Sequence, residues 1–130
     1  MKKKKVRVVV IKEDQGYSAS TSIDKNFIAT EADSFEELKA RMLTALNFSF
    51  EDRGLIFILN DIVFEYDLES FFDFYKVINA KALSERIGMN QSLLAQYIKG
   101  IKKPSSAQKR RILLGVQQIG RELTEVRFLL

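Results

Sequence analysis

Gln91, Ser92, Gln96 and Lys99 fall at intervals that bring amide, hydroxyl and ammonium groups onto one face of a helix. Glutamine pairs bidentately with adenine and serine donates to or accepts from several bases, so the chemistry on offer is hydrogen bonding to base edges. The surroundings are basic. From Asn79 to Arg111 there are eight Lys or Arg (Lys81, Arg86, Lys99, Lys102, Lys103, Lys109, Arg110 and Arg111) against one acid, Glu85. Such a cluster neutralises backbone phosphates, and the expected phosphate contacts are Lys81, Asn90, Lys102, Lys103, Ser106 and Lys109. The plain alternative is a helical hairpin with a solvated basic face.

These groups need two short helices and a sharp turn to present them. Leu83 and Ile87 lie one helical turn apart and face inward, while Ser84 offers a small side chain where a second helix must pass. Gly88 occupies the position after the helix, where a left-handed backbone carries no Cβ penalty. Asn90 is a good N-cap, and Leu94, Tyr97 and Ile98 supply the inward face of the next helix up to Gly100. The pattern is that of a helix-turn-helix, whose second helix enters the major groove. Leu93 faces outward, to pack on a neighbouring helix or to touch a thymine methyl. Ser105 and Gln108 then open a further helix, with its positive dipole end beside Lys102 and Lys103.

Composition removes other chemistries. The 130 residues contain no Cys and no His, which excludes the usual zinc sets, disulfides, cysteine nucleophiles and imidazole bases. Apolar runs such as Gly54–Leu59 and Ile112–Val116 are far shorter than the roughly 18 to 20 residues of a membrane span. Met1 and the four lysines after it precede a Val-rich strand without the cleavage site of a signal peptide, so a cytoplasmic location is expected. Charge is divided. Residues 1–67 hold ten Lys or Arg against twelve Asp or Glu, and residues 68–130 hold eleven against five. An acidic half and a basic half suggest two surfaces with different partners.

In the acidic half, Lys5–Lys12 and Tyr17–Ile23 form a hairpin across Glu13–Gly16, and Phe27–Ala32 makes a third strand. Ser34 and Glu37 read as a capping box, and the spacing of Phe35, Leu38, Met42, Ala45 and Leu46 predicts an amphipathic helix over residues 35–47. Ile62–Tyr66 is a further strand, and a helix is expected from Asp67 or Glu69 through Ile78. Residues 48–61 carry no clear pattern. The fold class is α+β, with a domain boundary near Asp67 separating 1–67 from an all-α 68–130. A two-metal nuclease would need converging carboxylates on strands, but Val6–Ile11 contains Arg7 and no acid, so no catalytic residue, metal or cofactor is expected.

The segment "LSERIGMNQSLLAQYIKGIKKPS" resembles the helix-turn-helix of the Xre/Cro-like repressor family. The chain as a whole resembles HicB-family antitoxins that end in an Xre-type domain, through "KVRVVVIKEDQGYSAS", "ADSFEELKARMLTAL", "FEYDLESFFDFYKVINAKALSERIGMNQSLLAQYIKGIKKPSSAQKRRI" and "IGRELTE". It departs from that family at Asp24-Lys25-Asn26-Phe27, which replaces a Pro-Gly-Cys-like turn. The resemblance implies a partial RNase H-like βββαβ domain that captures a small basic ribonuclease toxin, and a DNA-binding domain that represses an operator. Glu31, Asp33, Glu36 and Glu37 are the expected toxin contacts, although Glu36 and Glu37 also suit a first helical turn for dipole reasons. The competing reading is a stand-alone repressor whose first module senses a ligand or dimerises. A homodimer or higher assembly is expected in either case. Ile112, Leu113, Val116, Ile119 and Leu123 share a helix face before the apolar Val126, Phe128, Leu129 and Leu130; they either join two copies or cover the domain's own core.

Overall fold

The computed structural model describes residues 5–130; Lys2, Lys3 and Lys4 of the lysine run lie outside the described residues. The chain divides into two compact units, the first ending at Phe74 and the second running from Tyr75 to Leu130. The class is mixed α and β.

The first unit is built on β1 (Val6–Lys12), β2 (Tyr17–Ile23), β3 (Asn26–Ala32) and β4 (Ile62–Tyr66), in the order β3-β2-β1-β4. The β1–β2 and β2–β3 pairs are antiparallel, and β4 runs parallel to β1 with Val6 opposite Ile62 and Val10 opposite Tyr66. Strand alternation sends Val6, Val8 and Val10 inward while Arg7 and Val9 stay exposed. Helix α1 (Phe35–Ser49) lies on β2 and β3 and buries Leu38, Met42 and Leu46, four residues apart. Ser34 Oγ accepts from the Glu37 N–H at 3.2 Å and caps it. One sheet face is thus covered. The other presents Arg7, Val9, Ser22, Phe27, Ala29, Glu31, Val63 and Glu65 to solvent.

Residues 48–61, unpatterned in sequence, are ordered by side chains rather than by periodicity. Two 3-10 turns, Glu51–Arg53 and Leu59–Asp61, flank an extended stretch. Asn47 grips it from α1: Nδ2 donates to the Phe57 carbonyl at 3.1 Å, and Oδ1 accepts from the Phe57 N–H at 2.6 Å. Phe57 is thereby held edge-to-face on Phe50, with ring centroids 5.6 Å apart and both side chains buried.

Helix α2 (Leu68–Phe74) is shorter than the expected run to Ile78. The Ile78 N–H donates to the Tyr75 carbonyl at 2.9 Å in a turn, and Asn79 must be extended to cap the next helix. The compact unit also passes the expected boundary at Asp67, because α2 packs on β1 and β4. Its Ser70 is fully buried, with Oγ accepting the Lys12 N–H at 2.7 Å. Phe74 stacks against Tyr17 and Phe35 at 4.2 and 4.5 Å. Asp73 accepts from the Tyr17 hydroxyl, and this hydrogen bond, more than burial, holds the phenol above its ordinary pKa.

The second unit comprises α3 (Ala80–Ile87), α4 (Gln91–Ile98) and α5 (Ser106–Glu125). Its buried apolar residues are Leu83, Met89, Leu94 and Ile112.

Candidate nucleic-acid interface

Local capping fixes the turn between α3 and α4. Asn79 Oδ1 accepts from the Ala82 N–H at 2.9 Å to start α3. The helix ends at Gly88, which has φ +66°, and the Met89 N–H returns to the Ser84 carbonyl at 2.9 Å in a Schellman closure. Asn90 Oδ1 accepts from the Leu93 N–H at 3.1 Å and opens α4 two residues after that glycine. Ser84 is buried, its hydroxyl satisfied by donating to the Lys81 carbonyl at 2.6 Å. It is small where a larger side chain would push the helices apart.

Helix α5 closes the other side of α3. A Cβ on Gly115 would come within 2.4 Å of Ile87 Cγ2 and 3.3 Å of Leu83 Cδ1, so this glycine permits the close approach. Arg111 locks the turn itself. Its Nε and Nη2 donate to the Ile87 carbonyl at 3.0 and 2.7 Å, and Nη2 also donates to the Gly88 carbonyl at 2.8 Å. These are the carbonyls left unpaired at a helix C-terminus, where a cation is favoured. Arg86 forms a two-pronged pair with Glu122 at 2.8 and 2.7 Å, which drives the Glu122 carboxyl down to about 2.

Two of the eight expected phosphate-neutralising cations are therefore committed inside the unit. Arg86 and Arg111 make intramolecular bonds, whereas Lys81, Lys99, Lys102, Lys103, Lys109 and Arg110 have no ion pair among the described residues. No local signal separates these groups, because the partners lie 24 and 36 residues away in sequence. Gly115 and Gly120 both interrupt the same helical pattern, and only the fold shows that the first of them lies at a close approach.

The remaining expected contacts sit where they can reach a ligand. Gln91, Ser92 and Lys99 are exposed, and Gln96 is half-buried. Lys81, Lys102, Lys103, Ser106 and Lys109 are exposed as well, and the last two occupy the first turn of α5, capped by Ser105 through the Gln108 N–H at 3.2 Å. Asn90 is exposed, but its carbonyl oxygen is engaged in the cap, which leaves its NH2 group as the donor. Leu93 is half-buried beside the fully buried Leu94.

In the first unit Glu31, Asp33, Glu36 and Glu37 are all exposed, between the end of β3 and the first turn of α1. Glu36 pairs with Lys39 at 2.8 Å and Glu37 pairs with Arg41, so two of the four carboxylates already have a cation. Among the described residues, no helix is long and apolar enough to cross a membrane. In comparisons with known proteins, the chain matches no family model, no curated protein and no solved structure.

Proposed function

We propose that the chain is a sequence-specific DNA-binding repressor of helix-turn-helix type, with α4 as the helix that enters the major groove. The observation carrying this reading is exposed base-reading side chains in a unit rich in uncommitted cations. Gln91 and Ser92 stand exposed at the start of a capped helix, and Lys81, Lys99, Lys102, Lys103, Lys109 and Arg110 of the same unit have no ion pair among the described residues. With about six phosphates neutralised, affinity for duplex DNA falls on the order of 10³-fold between about 50 and 200 mM salt. Fluorescence anisotropy on a labelled operator library measures it, and a flat salt response overturns the reading. Gln91→Ala or Gln96→Ala relaxes preference at one base position by about 1–3 kcal/mol, whereas Lys102→Ala weakens all sequences alike.

Two-fold operators call for two copies. Leu113, Leu114 and Leu123 on α5, with Val126 and Phe128 beyond it, are exposed, and a second copy would cover part of this apolar surface. Truncation after Thr124 lowers the assembly state if they join copies; light scattering reads the outcome.

The first unit takes the role of a HicB-like, partial RNase H-like antitoxin module that holds a small basic ribonuclease. Glu31 and Asp33 support this arm more than Glu36 and Glu37 do, since the latter are paired. That pairing favours, as second reading, a stand-alone repressor whose first unit dimerises. Co-expression with the adjacent reading frame separates the two: co-purification of a small basic protein at low salt, lost at high salt, supports the antitoxin.

A further inference from the structure

Strand β3 is an edge of the sheet, and its free side is defined by the turn before it. The two-residue loop Asp24-Lys25 closes on the Ile23–Asn26 pair, and Asp24 takes the positive φ of +55° at the first loop position. In such a hairpin the closing pair is hydrogen-bonded, so Ile28, Thr30 and Ala32 direct their backbone groups to β2 while Phe27, Ala29 and Glu31 direct theirs outward. Arg41 bears this out: its Nη1 donates to the outward Glu31 carbonyl at 2.7 Å. The guanidinium caps one end of the edge, and Phe27 and Ala29 are left open.

The helix beside this edge has a matching profile. An open groove of about 460 Å³ runs between Thr30 and the α1 residues Ala40, Arg41, Thr44 and Phe48. Phe48 also borders a second groove of about 450 Å³ next to Lys25, Asn26 and Phe27. Phe48 is 78% exposed and Phe27 71%, a large apolar area for one strand edge.

We infer that β3 pairs with β3 of a second copy, antiparallel about a two-fold axis at Ile28, to give a continuous eight-stranded sheet. This register alone puts every feature to use. It pairs Phe27 with Ala29 of the other copy, twice, using the two open edge positions; the ladder stops there, because the next outward-facing pair joins loop residue Lys25 to Glu31, whose carbonyl Arg41 already holds. It sets Lys25 opposite Glu31 of the other copy, an opposite-charge cross-strand pair made twice. It also lays the two α1 helices side by side and antiparallel. Phe48, near residues 26–28, then lies over residues 28–30 of the other copy, at the groove lined by Thr30, Ala40 and Thr44. One copy's aromatic knob fills the other's hole, as an isologous interface requires. The interface rests on the second reading of the first unit, as a module that dimerises, and does not depend on DNA binding or on the α5 face.

The test is a charge exchange in the full-length protein, with self-association measured by sedimentation velocity. Lys25→Glu and Glu31→Lys each weaken the association by about tenfold, since each places like charges opposite one another at two sites. The double variant Lys25→Glu/Glu31→Lys restores it to within about twofold of the parent. Ala29→Pro deletes an outward N–H from each copy and weakens association without touching the β2–β3 ladder. Single variants without effect, or a double variant that fails to restore association, overturn the inference. So does a parent protein whose first-unit edge stays available to another protein's strand while the chain is monomeric. Truncation after Thr124 leaves the charge-exchange pattern intact, which separates this interface from the one on α5.

Discussion

Twelve buried apolar side chains form one continuous core in the sheet unit, whereas the helical unit buries Leu83, Met89, Leu94 and Ile112. The first unit has the economy of a sheet covered by an amphipathic helix, in which many contacts share the load. The second falls in the size range where a core alone is marginal. It makes up the difference with directional devices: the Schellman turn at Gly88, the close approach at Gly115, the Arg111 clamp and the Arg86–Glu122 pair. The difference has a functional side. If α4 reads DNA as proposed, a surface built on so few contacts is sensitive to single changes, and α5 keeps exposed leucines beside them.

The harshest test replaces one fully buried leucine in each unit. Leu46→Ala and Leu94→Ala each remove about 2–5 kcal/mol. In the sheet unit the loss is spread over a large core, so Leu46→Ala lowers its unfolding temperature and leaves DNA binding intact. In the helical unit the same loss exceeds what four buried residues sustain, so Leu94→Ala unfolds α3 to α5 and abolishes binding. Equal retention of binding by both variants, read by anisotropy alongside circular dichroism, breaks the comparison.

Next in size are two glycines on α5. Gly115→Ala drives a methyl against Ile87 Cγ2, on a β-branched side chain with little rotameric freedom, and destabilises the helical unit by about 1–3 kcal/mol. Gly120 has nothing within 4 Å of its would-be Cβ, so Gly120→Ala stabilises the same helix by about 0.8–1 kcal/mol. Urea unfolding of both variants should give opposite signs. If both stabilise, the close approach of α3 and α5 is not a determinant of the unit.

Local signals carried much of this architecture. The helix opening at Ser34 and the caps Asn90 and Ser105 rest on side chains within four residues of the backbone groups they serve, the turn at Gly88 rests on its own left-handed backbone, and the strand at Ile62–Tyr66 shows in its local alternation. The long-range pairings were not legible. Arg86 and Arg111 read as two more phosphate cations, because only the folded chain brings Glu122 and the Ile87 carbonyl to them. The order in residues 48–61 likewise draws on groups distant in sequence, among them Asn47, ten residues from its partner, and Asp24, paired with Arg53. Helix α2 ends at Phe74, and a turn closed from the Ile78 N–H to the Tyr75 carbonyl leads to Asn79, which is extended and caps α3. Base contacts by Gln91 and Ser92 remain readings of residue type and placement, common to sequence and fold.

A smaller effect is expected at the clamp. Arg111→Lys keeps the positive charge but cannot make the paired Nε and Nη2 bonds to the Ile87 carbonyl. Being exposed, the clamp contributes about 1 kcal/mol, below the roughly 1.5–3 kcal/mol of shielded bonds to a charged donor. If Arg111 acts by holding the turn, Arg111→Lys lowers the thermal stability of the helical unit and leaves the slope of log affinity against log salt unchanged. A phosphate ligand behaves in the opposite way: Lys substitution preserves stability, and Arg111→Ala flattens the slope by about one unit.

The smallest effect is a pH dependence confined to the helical unit. The Glu122 carboxyl is held at about 2, below its ordinary 4.5, chiefly by the hydrogen bonds from Arg86 and further by Gln118. A carboxyl depressed in the folded state binds its proton more readily in the unfolded chain, so the pair stabilises the fold fully above the unfolded value. That contribution is lost as pH falls from about 4.5 towards 2. Because both side chains are close to half exposed, solvent and salt screen the pair, and the change is modest. Thermal melts between pH 5 and 3 at low salt should show the helical unit losing stability, with the slope reduced in Glu122→Gln and in high salt. The sheet unit serves as the internal reference, so a slope in the helical unit that Glu122→Gln leaves untouched would assign the acid sensitivity to other carboxylates and remove Arg86–Glu122 from the devices that hold the recognition surface.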